Sequence, residues 1–200
     1  ELGDIPAGWR VGKLRELVQV NPKETIRQDS SVKYVDMKSL STSSMEIIGY
    51  IIREFTSGSK FRNGDTLLAR ITPCLENGKT AFVNILNEGE VAYGSTEFIV
   101  MRAKDSCCPE YVYCLSRSEY FRDYAIKNMT GSSGRQRVPN DQVEDYELAI
   151  PEHRVVQLFH AVCKSLFLKI KFNQQQIQTL TQARDTLLPK LISGQLRINE

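Results

Sequence analysis

From Glu152 to Leu188 the chain reads EHRVVQLFHAVCKSLFLKIKFNQQQIQTLTQARDTLL, a stretch with neither glycine nor proline. Its apolar residues fall into a heptad. The a positions are Val156, Cys163, Ile170, Ile177 and Arg184, and the d positions are Phe159, Leu166, Asn173, Leu180 and Leu187. Eight of these ten are apolar, which is the pattern of a coiled-coil helix. At about 1.5 Å per residue such a helix runs roughly 55 Å, too long for one small domain to cover, so its seam needs a second surface. Asn173 lies near the midpoint and is the residue type that sets register at some cost in stability. An antiparallel pair centred on these heptads would pack Ile170 near Asn173 of the second helix. Leu188-Pro189 is expected to end the helix, because the residue before a proline is pushed out of the α region. Pro189–Glu200 then reads as a short tail with a Ser193-Gly194 turn.

The residues before Pro151 follow a different pattern. An opening loop, Gly3-Asp4-Ile5-Pro6-Ala7-Gly8-Trp9, leads to a short amphipathic turn with Leu14, Leu17 and Val18 on one side. Trp9 reads as a core anchor. Five segments, Val32–Met37, Met45–Arg53, Thr66–Ile71, Lys79–Ile85 and Thr96–Arg102, are rich in β-branched and aromatic residues and separated by turn clusters. Two helices are expected at Pro109–Ser116 and Glu119–Lys127, and a last strand at Glu147–Ile150. Strands first and helices later imply an α+β fold. Residues 1–150 are expected to form one globular domain with a twisted, mainly antiparallel sheet and short helices, and residues 151–200 the long coiled-coil α-helix with its tail.

Composition narrows the function. The 41% hydrophobic and 25% charged content is that of a globular protein, and no apolar run approaches the roughly 18 residues of a membrane span. Glu1-Leu2-Gly3-Asp4 lacks the basic flank and apolar core of a signal peptide. The chain opens without Met and is expected to be part of a longer polypeptide. Five cysteines at irregular spacing, without a C-x-x-C, suit reduced thiols in the cytoplasm rather than a disulfide framework or zinc site. His160 and Cys163, three apart, read as packing residues, so no metal is expected. Nor does any phosphate-binding loop, dinucleotide fingerprint, nucleophile elbow or H-E-x-x-H appear. The two histidines, His153 and His160, both lie on the long helix. No catalytic residues are expected.

The net charge of +2 hides an asymmetry. Residues 152–200 carry seven Lys/Arg against three Asp/Glu, whereas the preceding 151 carry nineteen against twenty-one. A nucleic-acid binder usually shows a basic domain, so bulk charge argues mildly against one and local features must decide. Lys127–Asn140, KNMTGSSGRQRVPN, holds Lys127, Arg135 and Arg137 and no acid. Gly131 and Gly134 allow backbone amides to approach a phosphate, and Ser132 and Ser133 can donate to phosphate oxygens. Arg135 and Arg137 suit guanine edges, and Gln136 suits adenine. The same loop also reads as a surface loop with solubilising charges. Lys60–Lys79 brings Arg70 and Lys79 onto turns around one strand, and Lys38 opens a polar turn ending at Ser44.

In order, these segments resemble one half of a specificity (S) subunit of type I restriction-modification systems. Gly3-x-Ile5-Pro6-x-Gly8-Trp9 with Leu14 and Leu17 is similar to the start of that family's target recognition domain. Phe61-x-x-Gly64-Asp65-x-Leu67-x-Ala69-Arg70-Ile71-x-Pro73 and Gly78-Lys79 resemble its central motif. Ser95-Thr96-Glu97-Phe98-x-Val100 and Gly131-Ser132-x-Gly134-x-Gln136-x-Val138 continue it. Ile150-Pro151 leading to Gln157, then Leu188-Pro189-Lys190-Leu191-x-Ser193-Gly194-x-Leu196, match the family's helical region and its end. Glu152-His153-Arg154 departs from the Pro/Glu-rich start often seen there.

The resemblance implies a non-catalytic module that reads one half of a bipartite target in double-stranded DNA and docks methylation and restriction subunits. S-adenosylmethionine and ATP with magnesium would sit on those partners, with no cofactor on this chain. A complete subunit has two recognition domains and two antiparallel helices, so this chain corresponds to a fragment or a half-sized subunit that pairs as an antiparallel homodimer. DNA contacts are expected from Arg135, Gln136, Arg137, Ser132, Ser133, Arg70, Lys79 and Lys38. The dimer seam is expected from Val156, Phe159, Cys163, Leu166, Ile170, Asn173, Ile177, Leu180 and Leu187. Two other readings stay open: the recognition end of a fused nuclease–methyltransferase, and a coiled-coil assembly protein without DNA contact.

Overall fold

The computed structural model describes residues 3–195. The chain divides into two compact units, Glu1–His160 and Ala161–Glu200. The first is an α+β body. Its strands are β1 (Arg10–Lys13), β2 (Val18–Val20), β3 (Ser31–Val35), β4 (Ile51–Glu54), β5 (Ser59–Phe61), β6 (Thr66–Ala69), β7 (Thr80–Phe82), β8 (Ala92–Gly94), β9 (Phe98–Ala103) and β10 (Glu147–Ile150). Helices α1 (Pro109–Arg117), α2 (Glu119–Lys127) and α3 (Asn140–Glu144) separate β9 from β10, and α4 (His153–Ile192) follows. Pro109 opens α1, where its missing N–H costs nothing, and the Ser118 hydroxyl caps α2 by accepting from the Phe121 amide at 3.3 Å.

Two four-stranded sheets replace the single sheet expected from sequence. One runs β2-β9-β6-β7 and is antiparallel throughout; the other runs β4-β3-β8-β5, with β3 and β8 parallel. β1 and β10 form a separate antiparallel ribbon. Successive side chains on a strand point to opposite faces, and the first sheet uses both. Leu67, Phe98 and Val100 join Val35, Phe61 and Val83 in one core, while Leu68, Ile99 and Met101 join Val112, Phe121 and Val138 in another. This sheet is therefore buried on one face by the second sheet and on the other by the helices, and β6 is buried at all four residues. Trp9, expected as a core anchor, is only half-buried.

A nearly fully buried carboxylate lies among these strands. Asp65, 1% exposed, precedes β6 and accepts from Arg102 Nε and Nη2, both at 2.7 Å, and from the Arg62 amide at 2.8 Å. Arg102, on β9, also donates to Glu24 at 2.5 Å. Burial alone would lower the Arg102 pKa, but the hydrogen bonds and charges of Asp65 and then Glu24 outweigh it and hold the guanidinium above its ordinary value.

The second unit is the rest of α4, and here the sequence reading needs correction. The helix passes through Pro189 to Ile192. Proline lacks the N–H that would reach the Asp185 carbonyl, so one bond is missing from the last turns without ending the helix. Termination comes from Ser193-Gly194: the Ser193 amide reaches the Pro189 carbonyl at 3.0 Å, and Gly194 adopts a left-handed φ of 73°. Leu196, the last residue of the tail motif, lies outside the described residues. Within the first unit Val156 is buried and Phe159 meets Tyr111 edge-to-face at 5.9 Å. Along the second unit Leu166, Ile170, Ile177, Leu180 and Leu187 are exposed, as is Asn173, and Cys163 is half-buried. Arg184 pairs with its neighbour Asp185 at 2.7 Å. No helix among the described residues is long and apolar enough to cross a membrane.

Asp65→Ala leaves the Arg102 guanidinium buried against a lost partner, a change that typically costs about 3–5 kcal/mol. Urea denaturation of the variant is expected to show a loss of that order with an unchanged slope. A loss below about 1 kcal/mol would mean that this ion pair does not hold the two strands together.

Candidate nucleic-acid interface

The Gly/Ser loop closes on itself. The Thr130 amide donates to the Arg137 carbonyl at 2.9 Å and the Arg137 amide to the Thr130 carbonyl at 2.8 Å, which makes Thr130–Arg137 a small hairpin. Its tip turns through Gly131, at φ 120°, and Gly134, at φ 76°, values that side-chain-bearing residues rarely adopt. Ser132, Ser133 and Arg135 are exposed at that tip. Gln136 is half-buried and its carbonyl accepts from the Thr72 amide at 3.0 Å. Arg137 also bridges to Ile71, and the Val138 amide donates to the Arg70 carbonyl at 2.9 Å. The hairpin is thus tied to the chain leaving β6, some sixty residues earlier.

The third strand of this junction brings an acid that the sequence reading did not single out. The Arg70 amide donates to the Glu97 carbonyl at 3.0 Å, just ahead of β9. The Glu97 carboxylate is then gripped by Arg137 through Nε and Nη2 at 2.6–3.0 Å. A further Arg137 nitrogen, Nη1, donates to the Arg135 carbonyl at 3.1 Å and pins the loop tip. The Arg137 hydrogen bond holds the Glu97 carboxyl below its ordinary 4.5; burial opposes this, and the charges of Arg137 and Arg70 reinforce it. Among the described residues, Arg70 Nε is buried without a hydrogen-bond partner, beside this acid.

Lys79 and Lys38 gather at the far end of the same turn. Residues 70–79 fold back on themselves through the Leu75→Ile71, Asn77→Pro73 and Lys79→Cys74 amide–carbonyl bonds. Lys79 Nζ donates to the Met37 carbonyl at 2.7 Å, which places it beside exposed Lys38 on a short 3-10 turn, Met37–Ser39. Asp36 caps that turn by accepting from the Ser39 amide and hydroxyl at 2.9 and 2.8 Å. Sequence reasoning missed Arg117. It reaches from α1 to donate to the Gly78 carbonyl at 2.7 Å and to the Thr42 carbonyl at 3.0 Å, stapling the two turns. Nothing local in sequence marks it, because both partners lie more than thirty residues away.

The site is therefore a chain of backbone-linked turns: the hairpin tip, the Arg70–Lys79 turn and the Lys38 turn. Arg135, Lys38, Ser132 and Ser133 are exposed along it, while Arg137 is held by Glu97 and Lys79 by the Met37 carbonyl. That combination suits a polyanion approached by charge and then read by directional donors.

Residues 6–182 match the family described as type I restriction modification DNA specificity domain. The type I restriction enzyme EcoEI specificity subunit of Escherichia coli is 31% identical over 96% of this chain and 34% of its own length. The MjaIX specificity subunit of Methanocaldococcus jannaschii is 27% identical over 98% of this chain and 46% of its own length. Among solved structures, the HsdS subunit from Thermoanaerobacter tengcongensis superposes with a TM-score of 0.63 at 21% identity, covering 92% of this chain and 48% of that one. The chain spans between a third and a half of the length of these relatives.

The Glu97–Arg137 tie has a pH signature. A carboxyl whose folded pKa is depressed stabilises the fold above its unfolded value, and that contribution is lost as pH falls through the folded value. The Thr130 and Arg137 amides are therefore expected to stay protected at neutral pH and to lose protection, measured against intrinsic exchange rates, as pH drops below about 4.5. Glu97→Gln should show the faster exchange, corrected for intrinsic rates, at every pH. Equal protection in the variant and the parent would show that the ion pair does not hold the hairpin.

Proposed function

The chain belongs to the type I restriction-modification DNA specificity family, and from that premise we propose that it reads one half of a bipartite target in double-stranded DNA. The observation that carries this is the Ile71–Arg137–Thr130 bridging. It fixes the Arg135-Gln136-Arg137 loop against Arg70, so that base-reading and phosphate-binding groups share one backbone framework. Exposed Arg135 is the principal base-reading candidate, because bidentate Arg–guanine contacts are the commonest specific pairing. Arg137 is held by Glu97 and serves as a pre-oriented donor. Ser132, Ser133, Lys38 and Lys79 suit phosphate contacts, which position the protein without reading sequence.

The partners follow from the family. This chain docks methylation and restriction subunits in the cytoplasm and is itself non-catalytic. S-adenosylmethionine and ATP with magnesium reside on those subunits. Its span corresponds to one recognition domain and one helix, and the exposed apolar residues of α4 support pairing with a second such helix as an antiparallel coiled coil.

Arg135→Ala should weaken binding to the cognate duplex by about 1–3 kcal/mol while leaving non-specific binding at the same salt nearly unchanged. Methylation mapping in cells expressing the partner subunits is expected to lose one bipartite modified motif when this chain is absent. An unchanged methylome would remove the specificity role.

Helix pairing is tested separately. Asn173→Cys combined with Ile170→Cys should form a disulfide between two copies under mild oxidation. Crosslinking that instead joined the two helix N-termini would establish a parallel arrangement.

A further inference from the structure

Sequence spacing gave no metal site, because the cysteines lack a paired motif and His160 was set against Cys163. Folding brings different residues together. Cys108 lies immediately before α1, Glu110 is in its first turn, and His160 is in the second turn of α4. One thiol sulfur, one carboxylate oxygen and one imidazole nitrogen from these residues all lie within 4.8 Å of one another. Cys108 and Glu110 are buried, at 4% and 5% exposure. His160 Nδ1 stands 2.7 Å from Glu110 Oε2, and its side chain is 40% exposed.

We propose that Cys108, Glu110 and His160 form a site for one thiophilic divalent cation of the zinc class. Three protein donors of the S, O and N types leave one tetrahedral position for water. Zinc bonds of about 2.0–2.3 Å at tetrahedral angles set donors roughly 3.5 Å apart, within reach of small side-chain rotations here. The partial positive charge at the N-terminal end of α1 attracts anionic donors of this kind. The buried Glu110 carboxylate has about four acceptor sites, and His160 Nδ1 meets one of its oxygens.

Binding is written with its protons. The metal takes the Cys108 thiolate, and that proton leaves to solvent. It also takes the neutral Nδ1 lone pair of His160; any proton on Nδ1 moves to an unprotonated Nε2 or leaves to solvent. No electron is transferred. The cation then ties the α1 N-terminus to the first turns of α4, replacing the Glu110–His160 hydrogen bond with three coordinate bonds.

The test uses the full chain, stripped with chelator and titrated with Co²⁺ and then Zn²⁺. One equivalent of Co²⁺ should raise a near-ultraviolet thiolate-to-cobalt charge-transfer band, which one equivalent of Zn²⁺ should displace. Cys108→Ser should abolish the band, His160→Asn should weaken Co²⁺ binding at least tenfold, and Cys114→Ser should leave both unchanged. Zn²⁺ should raise the unfolding temperature of the parent but not of Cys108→Ser. His160 is partly exposed, so His160→Asn remains informative if the cysteine variant does not fold. Absence of the band, its persistence in Cys108→Ser, or full-strength Co²⁺ binding by His160→Asn would each overturn the site and leave a plain Glu110–His160 hydrogen bond.

Discussion

The bidentate ion pair between Asp65 and Arg102 is the constraint from which the first unit takes its register. Two charges placed among buried strands cannot slide, because any shift would strand each of them away from water without a partner. They lock the start of β6 to the end of β9. The antiparallel ladder then runs from Thr66 opposite Met101 to Ala69 opposite Phe98. A slip of one residue would exchange the faces of Leu67 and Leu68, which belong to different cores. Charge at one end and alternation along the ladder thus decide the other end, where Arg70 meets Glu97. The candidate interface is assembled by a restraint located at the opposite end of the same two strands.

The sequence showed the parts of this arrangement that are local. Proline at a helix start is a short-range signal, and α1, α2 and β10 lie where the sequence reading expected Pro109–Ser116, Glu119–Lys127 and Glu147–Ile150. β1, β2, β5 and β8 were not legible. Each has only three or four residues, too few for a period, and each is paired by a segment distant in sequence. The split into two sheets was hidden for the same reason, since nothing in one strand states which neighbour it will take. Pro189 misled because its steric rule is strong in a helix interior but removes only one bond near an end.

The candidate site divides along the same line. The hairpin from Thr130 to Arg137 could be read from its glycines, serines and arginines. The partners that give it a fixed position could not. Glu97 is forty residues from Arg137, and Gly78 and Thr42 are further fragments of chain that meet Arg117 only after folding. His160 shows the converse: its nearest sequence companion, Cys163, suggested a pairing, whereas the fold set it against Glu110, fifty residues away.

Local rather than overall charge reconciles the proposed DNA contact with a slightly acidic stretch. Counterion release depends on the cations that reach phosphates, not on the sum over the domain. Glu97 lowers the net charge at the interface and so weakens long-range attraction. It also fixes the Arg137 guanidinium in one orientation, removing rotamer entropy that binding would otherwise have to supply. The trade favours discrimination over affinity, since a misaligned base then meets a donor that cannot swing to accommodate it. On the proposed function, that balance suits a module whose chemistry resides on partner subunits, because loose binding at non-target sequences would sequester the whole assembly.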